Sequence, residues 1–177
     1  PESSFEGFPK AEKYFTKGAP PPANPMPVQG ALITPAKTHR YPLLSQEPTT
    51  TYAYGREWRV GKEQFPISST MTGVIFDIDA GGFRELHWHP NSDEWQYVIS
   101  GRFEVTLFGS HGRFRTEVLE SGDVAYIPQG FGHSIENIGQ SSGRMLIGLN
   151  SGHYEAVDLS AWLAGTPAYL LADHFDK

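Results

Sequence analysis

The stretch that decides the fold is residues 81–101, GGFRELHWHPNSDEWQYVISG. His87 and His89 are separated by one residue, and Glu94 follows after a short polar turn. Alternate residues of an extended strand face the same side, so the two imidazoles point together and Trp88 points away. The turn brings Glu94 back toward the imidazoles, and the three side chains form the beginning of a metal site.

A fourth metal ligand is expected from residues 121–137, SGDVAYIPQGFGHSIEN. DVAYIP is typical of a strand, PQG is typical of a tight turn, and His133 begins the next strand. Three imidazoles and one carboxylate leave positions for water or substrate, which favours Mn(II) or Fe(II) over a closed structural zinc site. The carboxylate favours Mn(II), with Ni, Cu, Co and Zn as alternatives. The predicted ligands are His87, His89, Glu94 and His133.

The composition limits the class of protein. A chain of 177 residues fits one domain, and 38% of hydrophobic residues is sufficient for a core. A net charge of -6 without a basic run argues against nucleic acid as a partner. No apolar stretch reaches the roughly 18 residues that cross a bilayer, so no membrane partner is expected. The absence of cysteine excludes thiolate ligands and disulfides but does not choose a compartment.

Short β-branched and aromatic runs separated by glycine occupy residues 51–150, and they predict an all-β sandwich or barrel. Within them, residues 108–114 (FGSHGRF) are typical of a hairpin turn. Ten of the 14 prolines lie in residues 1–50, which are predicted to form an extended Pro-rich arm. The barrel domain with its C-terminal helices is predicted to occupy residues 51–177.

Two short helices are predicted at the C-terminal end. Asp158 is suited to cap a helix that begins near Leu159. Thr166 is suited to cap a second helix, with Pro167 at the first helical position, where proline is favoured. We expect these helices to close one side of the barrel or to pack on a neighbouring subunit.

The two stretches resemble both signature motifs of the cupin family at every position. The first motif has glycine, HxH, glutamate and glycine at fixed offsets, which here are Gly81, His87, His89, Glu94 and Gly101. The second motif has glycine, PxG, histidine and asparagine, which here are Gly122, Pro128, Gly130, His133 and Asn137. The resemblance implies a jelly-roll barrel, or double-stranded β-helix, that holds a metal. It does not specify the reaction, because this fold hosts many activities.

The sequence around the predicted ligands looks like that of the oxalate decarboxylase branch of the two-cupin proteins. RELHWHPNSDEWQYVISG and GDVAYIPQGFGHSIENIG carry this resemblance. It implies a Mn(II) enzyme that acts on a small carboxylate substrate. It also implies a single-cupin relative, or the C-terminal half of a two-cupin protein. In that branch, an arginine at the position of Arg84 binds the substrate carboxylate, as a guanidinium can do through two hydrogen bonds.

The side chain of Arg84 can point into the metal pocket only if its strand departs locally from regular alternation. Arg84 lies three residues before His87, so strict alternation sends it to the opposite face of the strand. A bend at residues 81–83 would return it to the pocket, and a surface ion pair with Glu85 or Glu104 is the alternative. The pocket walls are expected to be apolar and to exclude water. Expected wall residues are Phe76, Ile78, Val98, Met145 and Ile147.

The chain departs from this branch in the segment that handles protons. Oxalate decarboxylases carry a glutamate on a serine-rich lid loop, and the matching stretch here, residues 149–163 (LNSGHYEAVDLSAWL), is shorter and lacks that sequence. A second family glutamate, on the strand after the second motif, corresponds to Ile147. Glu155 is the nearest candidate for the proton-handling role, which would require a pKa raised by partial burial.

Three functions follow from these residues. The first is a Mn-dependent decarboxylase of oxalate or another small carboxylic acid, with Arg84 and Glu155 as catalytic residues. The second is oxalate oxidase or another oxygen-dependent cupin, with dioxygen as co-substrate. The third is a non-catalytic cupin that holds metal or supports a partner domain. A homo-oligomer is expected because a long arm and open barrel ends provide surfaces for association.

Overall fold

The structure is a computed structural model that describes residues 39–176, and it confirms the expected all-β jelly roll. A short 3₁₀ turn, Leu43–Ser45, precedes the first strand, and residues 1–38 of the predicted arm lie outside the described residues. The strands are β1 (Thr50–Tyr52), β2 (Gly55–Val60), β3 (Thr72–Ile78), β4 (Phe83–Trp88), β5 (Glu94–Ser100), β6 (Arg102–Phe108), β7 (Phe114–Glu120), β8 (Val124–Ile127), β9 (Gly132–Asn137), β10 (Gly143–Leu149) and β11 (Val157–Asp158).

The strands pair into two antiparallel sheets. The six-stranded sheet has the order β1-β2-β3-β10-β5-β8, and the five-stranded sheet has the order β11-β4-β9-β6-β7. Both sheets contribute apolar side chains to one core, as expected for a jelly roll. The core residues are Val74, Phe76, Ile78, Val98, Phe103, Val105, Leu119, Ile127, Ile135, Met145, Ile147 and Leu149.

The alternation of strand residues decides which side chains enter the barrel. Along β5, Glu94, Gln96 and Val98 are buried, whereas Trp95 and Tyr97 between them are exposed. The same strand therefore carries both a metal-ligand candidate and part of the apolar core on its inner face. A register slip by one residue would expose the whole set.

Asn137, the last residue of the second motif, joins the end of β3 to the loop between β9 and β10 through its side chain. Its Nδ2 donates hydrogen bonds to the carbonyl oxygens of Ile78 (2.7 Å) and Ser141 (2.8 Å). Its Oδ1 accepts a hydrogen bond from the backbone N–H of Gly139 at 2.9 Å. Since the side chain is fully buried, these contacts satisfy backbone groups that water cannot reach.

Two motif glycines occupy turn positions with a positive φ angle, which other residues adopt only with strain. Gly101, between β5 and β6, has φ +98°, and an added Cβ would lie 2.8 Å from the Cα of Gly143. Gly130, in the PQG turn, has φ +77° and donates its N–H to the carbonyl of His89 at 2.9 Å. The second turn thereby fixes the start of β9 against the end of β4.

The hairpin predicted at residues 108–114 is confirmed. β6 and β7 pair in register up to Phe108 and Phe114, and the connection passes through left-handed backbone at His111 (φ 62°) and Gly112 (φ 67°). The two helices are α1, Leu159–Gly165, and α2, Ala168–Phe175.

The helix α1 begins at Leu159 with Asp158 at the N-cap position, as predicted, whereas the start of α2 differs from the prediction. Pro167 lies at the N-cap of α2 rather than at its first helical position, and Thr166 caps the end of α1. Trp162 of α1 packs edge-on against Trp88 of β4, with ring centroids 5.7 Å apart. Among residues 39–176, no helix has the length and apolar character needed to cross a membrane.

Replacing Asn137 with alanine is expected to lower the free energy of unfolding by about 2–4 kcal/mol, because it leaves buried backbone groups without partners. Urea unfolding followed by circular dichroism measures the change. Glu136→Ala is the control, because Glu136 is exposed on the same strand and such substitutions change stability by about 0.5 kcal/mol or less. Equal effects of the two substitutions would contradict the structural role of Asn137.

Candidate metal centre

A β-bulge in β4 sets the direction of Arg84. In the pairing with β9, Arg84 lies opposite Ile135 and His87 lies opposite His133, with a shift of register between the two pairs. These partners are two residues apart on β9 but three apart on β4, so β4 contains one extra residue. Arg84 and His87 therefore share the interior face. The bend expected at residues 81–83 is the wrong location, because the change of face occurs between Arg84 and His87.

The four predicted ligands meet in the interior. One potential ligand atom from each lies within 4.8 Å of the others. The four side chains are 2–3% exposed, so the cluster is shielded from bulk water. Glu94 Oε2 lies 2.8 Å from His89 Nε2 and 3.3 Å from His133 Nε2. The residues are His87, His89, Glu94 and His133.

Each imidazole is oriented by a backbone carbonyl. The three Nδ1–carbonyl pairs are His87 with Glu85 (2.7 Å), His89 with Glu155 (2.6 Å) and His133 with Phe131 (3.1 Å). A proton on Nδ1 leaves the lone pair on Nε2, which is the tautomer that binds a metal through Nε2. The buried Nε2 atoms of His89 and His133 make no hydrogen bond to any of the residues that the structure describes. Lone pairs that face a carboxylate at this distance fit a shared cation.

The charge states of the ligands also fit a divalent metal. Burial would raise the pKa of Glu94, but the contacts with His133 and His89 hold this pKa well below its ordinary value. Burial, together with the charges of His133 and Arg84, lowers the pKa of His87 from 6.5 to about 2. Glu94 is thus an anion and His87 is neutral at physiological pH. Gln96 Nε2 donates to Glu94 Oε1 at 2.7 Å and leaves Oε2 to face the imidazoles.

Arg84 enters the interior beside this cluster. Its Nη2 donates to Asp158 Oδ1 at 2.6 Å, and its buried Nε makes no hydrogen bond to the described residues. Burial lowers the pKa of Arg84, but Tyr154 and Asp158 outweigh this effect and raise the pKa above its ordinary value. The guanidinium is therefore charged. The prediction that the Asp158 side chain caps α1 is wrong, because this carboxylate pairs with Arg84 instead and makes no cap hydrogen bond.

Glu155 lies on the lid loop, which we define as residues 150–156 between β10 and β11. Its backbone carbonyl holds His89, whereas its side chain is exposed. The loop is tied to its surroundings through its backbone. Thr72 Oγ1 donates to the carbonyl of Ser151 at 2.8 Å, and the backbone N–H of Lys62 donates to the carbonyl of Gly152 at 2.9 Å. The described contacts of Glu155 position a metal ligand.

The sequence prediction missed two charged residues in the interior. Glu57 and Arg59 of β2 pair in register with Phe76 and Val74 of β3, which belong to the core. Glu57 is 2% exposed, and its Oε1 lies 3.1 Å from Arg59 Nη1. The expectation of purely apolar walls is therefore incomplete. The available signal was the pair of charged residues at alternate positions of residues 56–60 (REWRV), which places both on one face of the strand. This pattern does not show which face is buried, because an edge strand has the same pattern when its charged side chains face water.

Tyr154 separates the metal ligands from a small cavity. The Tyr154 ring meets the ring of His89 edge-on, with centroids 5.4 Å apart. The guanidinium of Arg59 lies 4.0 Å from the centroid of the Tyr154 ring. The cavity has a volume of about 240 Å³. It is lined by Arg59, Gly61, Glu63, Gln64 and Tyr154.

A larger groove of about 760 Å³ borders the site from another side. Its lining includes Leu86, Phe108 and Trp162, which are exposed, together with His87 and His133. The two histidine side chains are nearly completely covered, so this groove gives no open path to their imidazoles. The cavity beside Tyr154 is the better candidate for the approach to the site.

Comparison with known proteins places the chain in a family. The profile described as Cupin matches residues 41–176, and the chain belongs to the cupin family. Oxalate decarboxylase OxdC of Bacillus subtilis (strain 168) is 40% identical over 136 residues, which are 77% of this chain and 35% of that protein. Germin-like protein 3-7 of Oryza sativa subsp. japonica is 32% identical over 111 residues, which are 61% of this chain and 48% of that protein.

Comparison with solved structures also shows similarity to oxalate decarboxylase. A structure of Bacillus subtilis oxalate decarboxylase, described for its Mn(II) centres, matches with a TM-score of 0.74 at 39% identity. The match covers 77% of this chain and 36% of that one. The chain thus spans less than half of the length of each of these three proteins.

Replacing His133 with alanine is expected to reduce bound Mn(II) from about one equivalent per chain to a small fraction, because one of four ligands is lost. Elemental analysis after dialysis measures the content. His153→Ala is the matched control, since His153 is exposed and pairs with Glu63 outside the cluster. Full metal content in His133→Ala would contradict the ligand set.

The metal-free protein is expected to lose stability as the pH falls. The pKa of His87 is 6.5 in the unfolded chain and about 2 in the folded one, so below pH 6.5 the unfolded state takes up a proton that the folded state does not. The lowered pKa of Glu94 adds to this loss below its ordinary value of 4.5. Urea midpoints at pH 8, 6.5 and 5 measure the trend, and a midpoint that rises on acidification would contradict it.

Proposed function

We propose that the chain is a Mn(II)-dependent enzyme of the oxalate decarboxylase type, acting on oxalate or another small carboxylic acid. The observation that carries the proposal is the position of Arg84. It shares the interior face with His87, and its buried Nε–H has no partner among the described residues. Asp158 holds only one nitrogen of the guanidinium, so the Nε–H remains as a donor for a bound carboxylate.

The surroundings favour a small anionic substrate. The cavity of about 240 Å³ accommodates a molecule of a few heavy atoms. Arg59 lines this cavity, so an entering anion meets its guanidinium, whereas Arg84 lines a separate cavity of about 340 Å³. Val98, Met145 and Ile147 are almost fully buried in the core and keep water away from the interior. Electrostatic contacts are stronger in such a dry site than in water.

The chain supplies the binding and proton-holding groups. Mn(II) held by His87, His89, Glu94 and His133 would supply a positive charge for a carboxylate oxygen and one-electron chemistry. Arg84 orients the carboxylate through its Nε–H. Burial raises the pKa of Tyr154; the charge of Arg84 opposes this increase and that of Glu57 adds to it, and the net pKa is raised, so the phenol remains protonated and can donate a hydrogen bond.

Oxidation of oxalate with dioxygen is a second candidate, favoured by the absence of the family glutamates. Ile147 occupies one of the two positions as a buried apolar residue, and the side chain of Glu155 is exposed. Without a group that returns a proton to carbon, decarboxylation to formate is slowed, and oxidation competes. The two candidates share the metal ligands and Arg84, and they differ in their products.

Mn(II)-loaded protein is expected to convert oxalate in air, at a pH of about 4–6, to formate and CO2. Arg84→Gln should lower kcat/KM about 10–100-fold, the factor expected for loss of one charge-assisted hydrogen bond. Arg102→Gln is the control, because Arg102 pairs with Glu120 at the surface. Formate, CO2 and hydrogen peroxide are measured together. Peroxide with little formate would support the second candidate, and no turnover would contradict both.

A further inference from the structure

Glu57 is a buried carboxylate that the proposed reaction has not used. It projects inward from β2, in register with Phe76 of the core, and is 2% exposed. A buried carboxylate is expected to have its oxygen atoms satisfied by hydrogen bonds. Glu57 Oε1 has none from the part of the chain that the structure describes: Arg59 Nη1 lies 3.1 Å away, but its N–H does not point at the oxygen. The contact is an ion pair without a hydrogen bond.

The charged groups that face Glu57 come from several elements of the barrel. Arg59 lies on the same strand, and the hydroxyl of Tyr52 on β1 donates weakly to Glu57 Oε2 at 3.5 Å. Arg84 of β4 and Asp158 of β11 also act electrostatically on its carboxyl. Burial raises the pKa of Glu57, and the two arginines oppose the increase, so the pKa lies above the ordinary value of 4.5.

Two unpartnered atoms in the interior are complementary. Within residues 39–176, Arg84 Nε carries a hydrogen without an acceptor, and Glu57 Oε1 is an acceptor without a donor. A ligand that satisfies both must present an acceptor to Arg84 and an acidic hydrogen to Glu57. A half-protonated dicarboxylic acid has both groups at its two ends. Tyr154 lies between Glu57's partner Arg59 and the metal ligands, because the Arg59 guanidinium lies 4.0 Å from the centroid of its ring and the ring contacts His89.

We propose that Glu57 is the proton-handling residue of this site: it accepts the acidic proton of a half-protonated dicarboxylate and returns it to carbon when CO2 leaves. This inference rests on the proposed function. For hydrogen oxalate, the C–C bond breaks, one carbon leaves as CO2, and the other receives the proton from Glu57. The electron pair of the C–C bond becomes that of the new C–H bond. The products, CO2 and formate, contain all atoms of hydrogen oxalate, and no net oxidant is needed.

Glu57→Gln tests the role, because glutamine keeps the size of the side chain but cannot carry the proton. In the Mn(II)-loaded full chain, formate production should fall about 100-fold or more, the usual effect of losing a general acid–base group. Mn(II) content should be unchanged, and oxalate that is still consumed should yield peroxide and CO2 instead. Glu117→Gln, at an exposed position of β7, is the matched control.

Binding of formate gives a second readout that does not depend on turnover. A formate anion beside Glu57 raises its pKa further, so the wild-type site should take up a fraction of a proton as formate binds. Calorimetry in two buffers of different ionisation enthalpy measures this uptake. It should vanish in Glu57→Gln and persist in Glu117→Gln. Glu57→Asp keeps a carboxyl group at a changed distance, so it should retain the uptake while producing less formate.

The outcomes separate this inference from the proposed function. Wild-type formate production that is unchanged in Glu57→Gln, with the same proton uptake, would overturn the role of Glu57. If wild-type protein makes no formate from oxalate, the proposed decarboxylation fails, and proton uptake still decides the inference. Uptake that depends on Glu57 would then support it as the proton-holding group of the pocket, and uptake that does not would overturn it.

Discussion

The burial of four polar ligands in one apolar interior is the constraint on which the rest of the structure depends. An imidazole or carboxylate removed from water destabilises the fold unless it has a partner. Each histidine obtains its partner from a backbone carbonyl, and Glu94 obtains one from Gln96. These carbonyls come from the bulge of β4, the lid loop and the turn before β9. The conformation of each of these three segments is therefore constrained by the ligand that its carbonyl orients.

The strand pattern and the spacing of the motifs were sufficient to predict the barrel, the hairpin and the ligand cluster. These features depend on local alternation and short turns, which a sequence displays directly. The direction of Arg84 could not be predicted in the same way, because it depends on a bulge whose position appears only in the pairing with β9. The pairing of Asp158 with Arg84 was also missed. Asp158 has the ordinary signature of a helix cap, and a residue distant in sequence competes for its carboxylate.

Two ion pairs lie beside the metal ligands. Glu57 pairs with Arg59, and Arg84 pairs with Asp158; Glu57 and Arg84 are the more buried partner of each pair. Removal of Arg59 or Asp158 would leave a buried charge without its partner. An anionic ligand beside Glu57 adds a negative charge close to this carboxylate. Uptake of a proton by Glu57 offsets that charge, so binding and protonation are coupled at this residue.

The extra residue in β4 has a consequence for how this pocket can change during evolution. Deletion of a single codon between Arg84 and His87 would remove the bulge and leave a regular strand with a spacing of two residues, in which both side chains still face the interior. The same event would remove the bulge that presents the carbonyl of Glu85 to His87. A deletion at this point would thus keep the arginine inside the barrel but remove the carbonyl that orients one metal ligand, so the metal site and the anion-binding side chain can change separately.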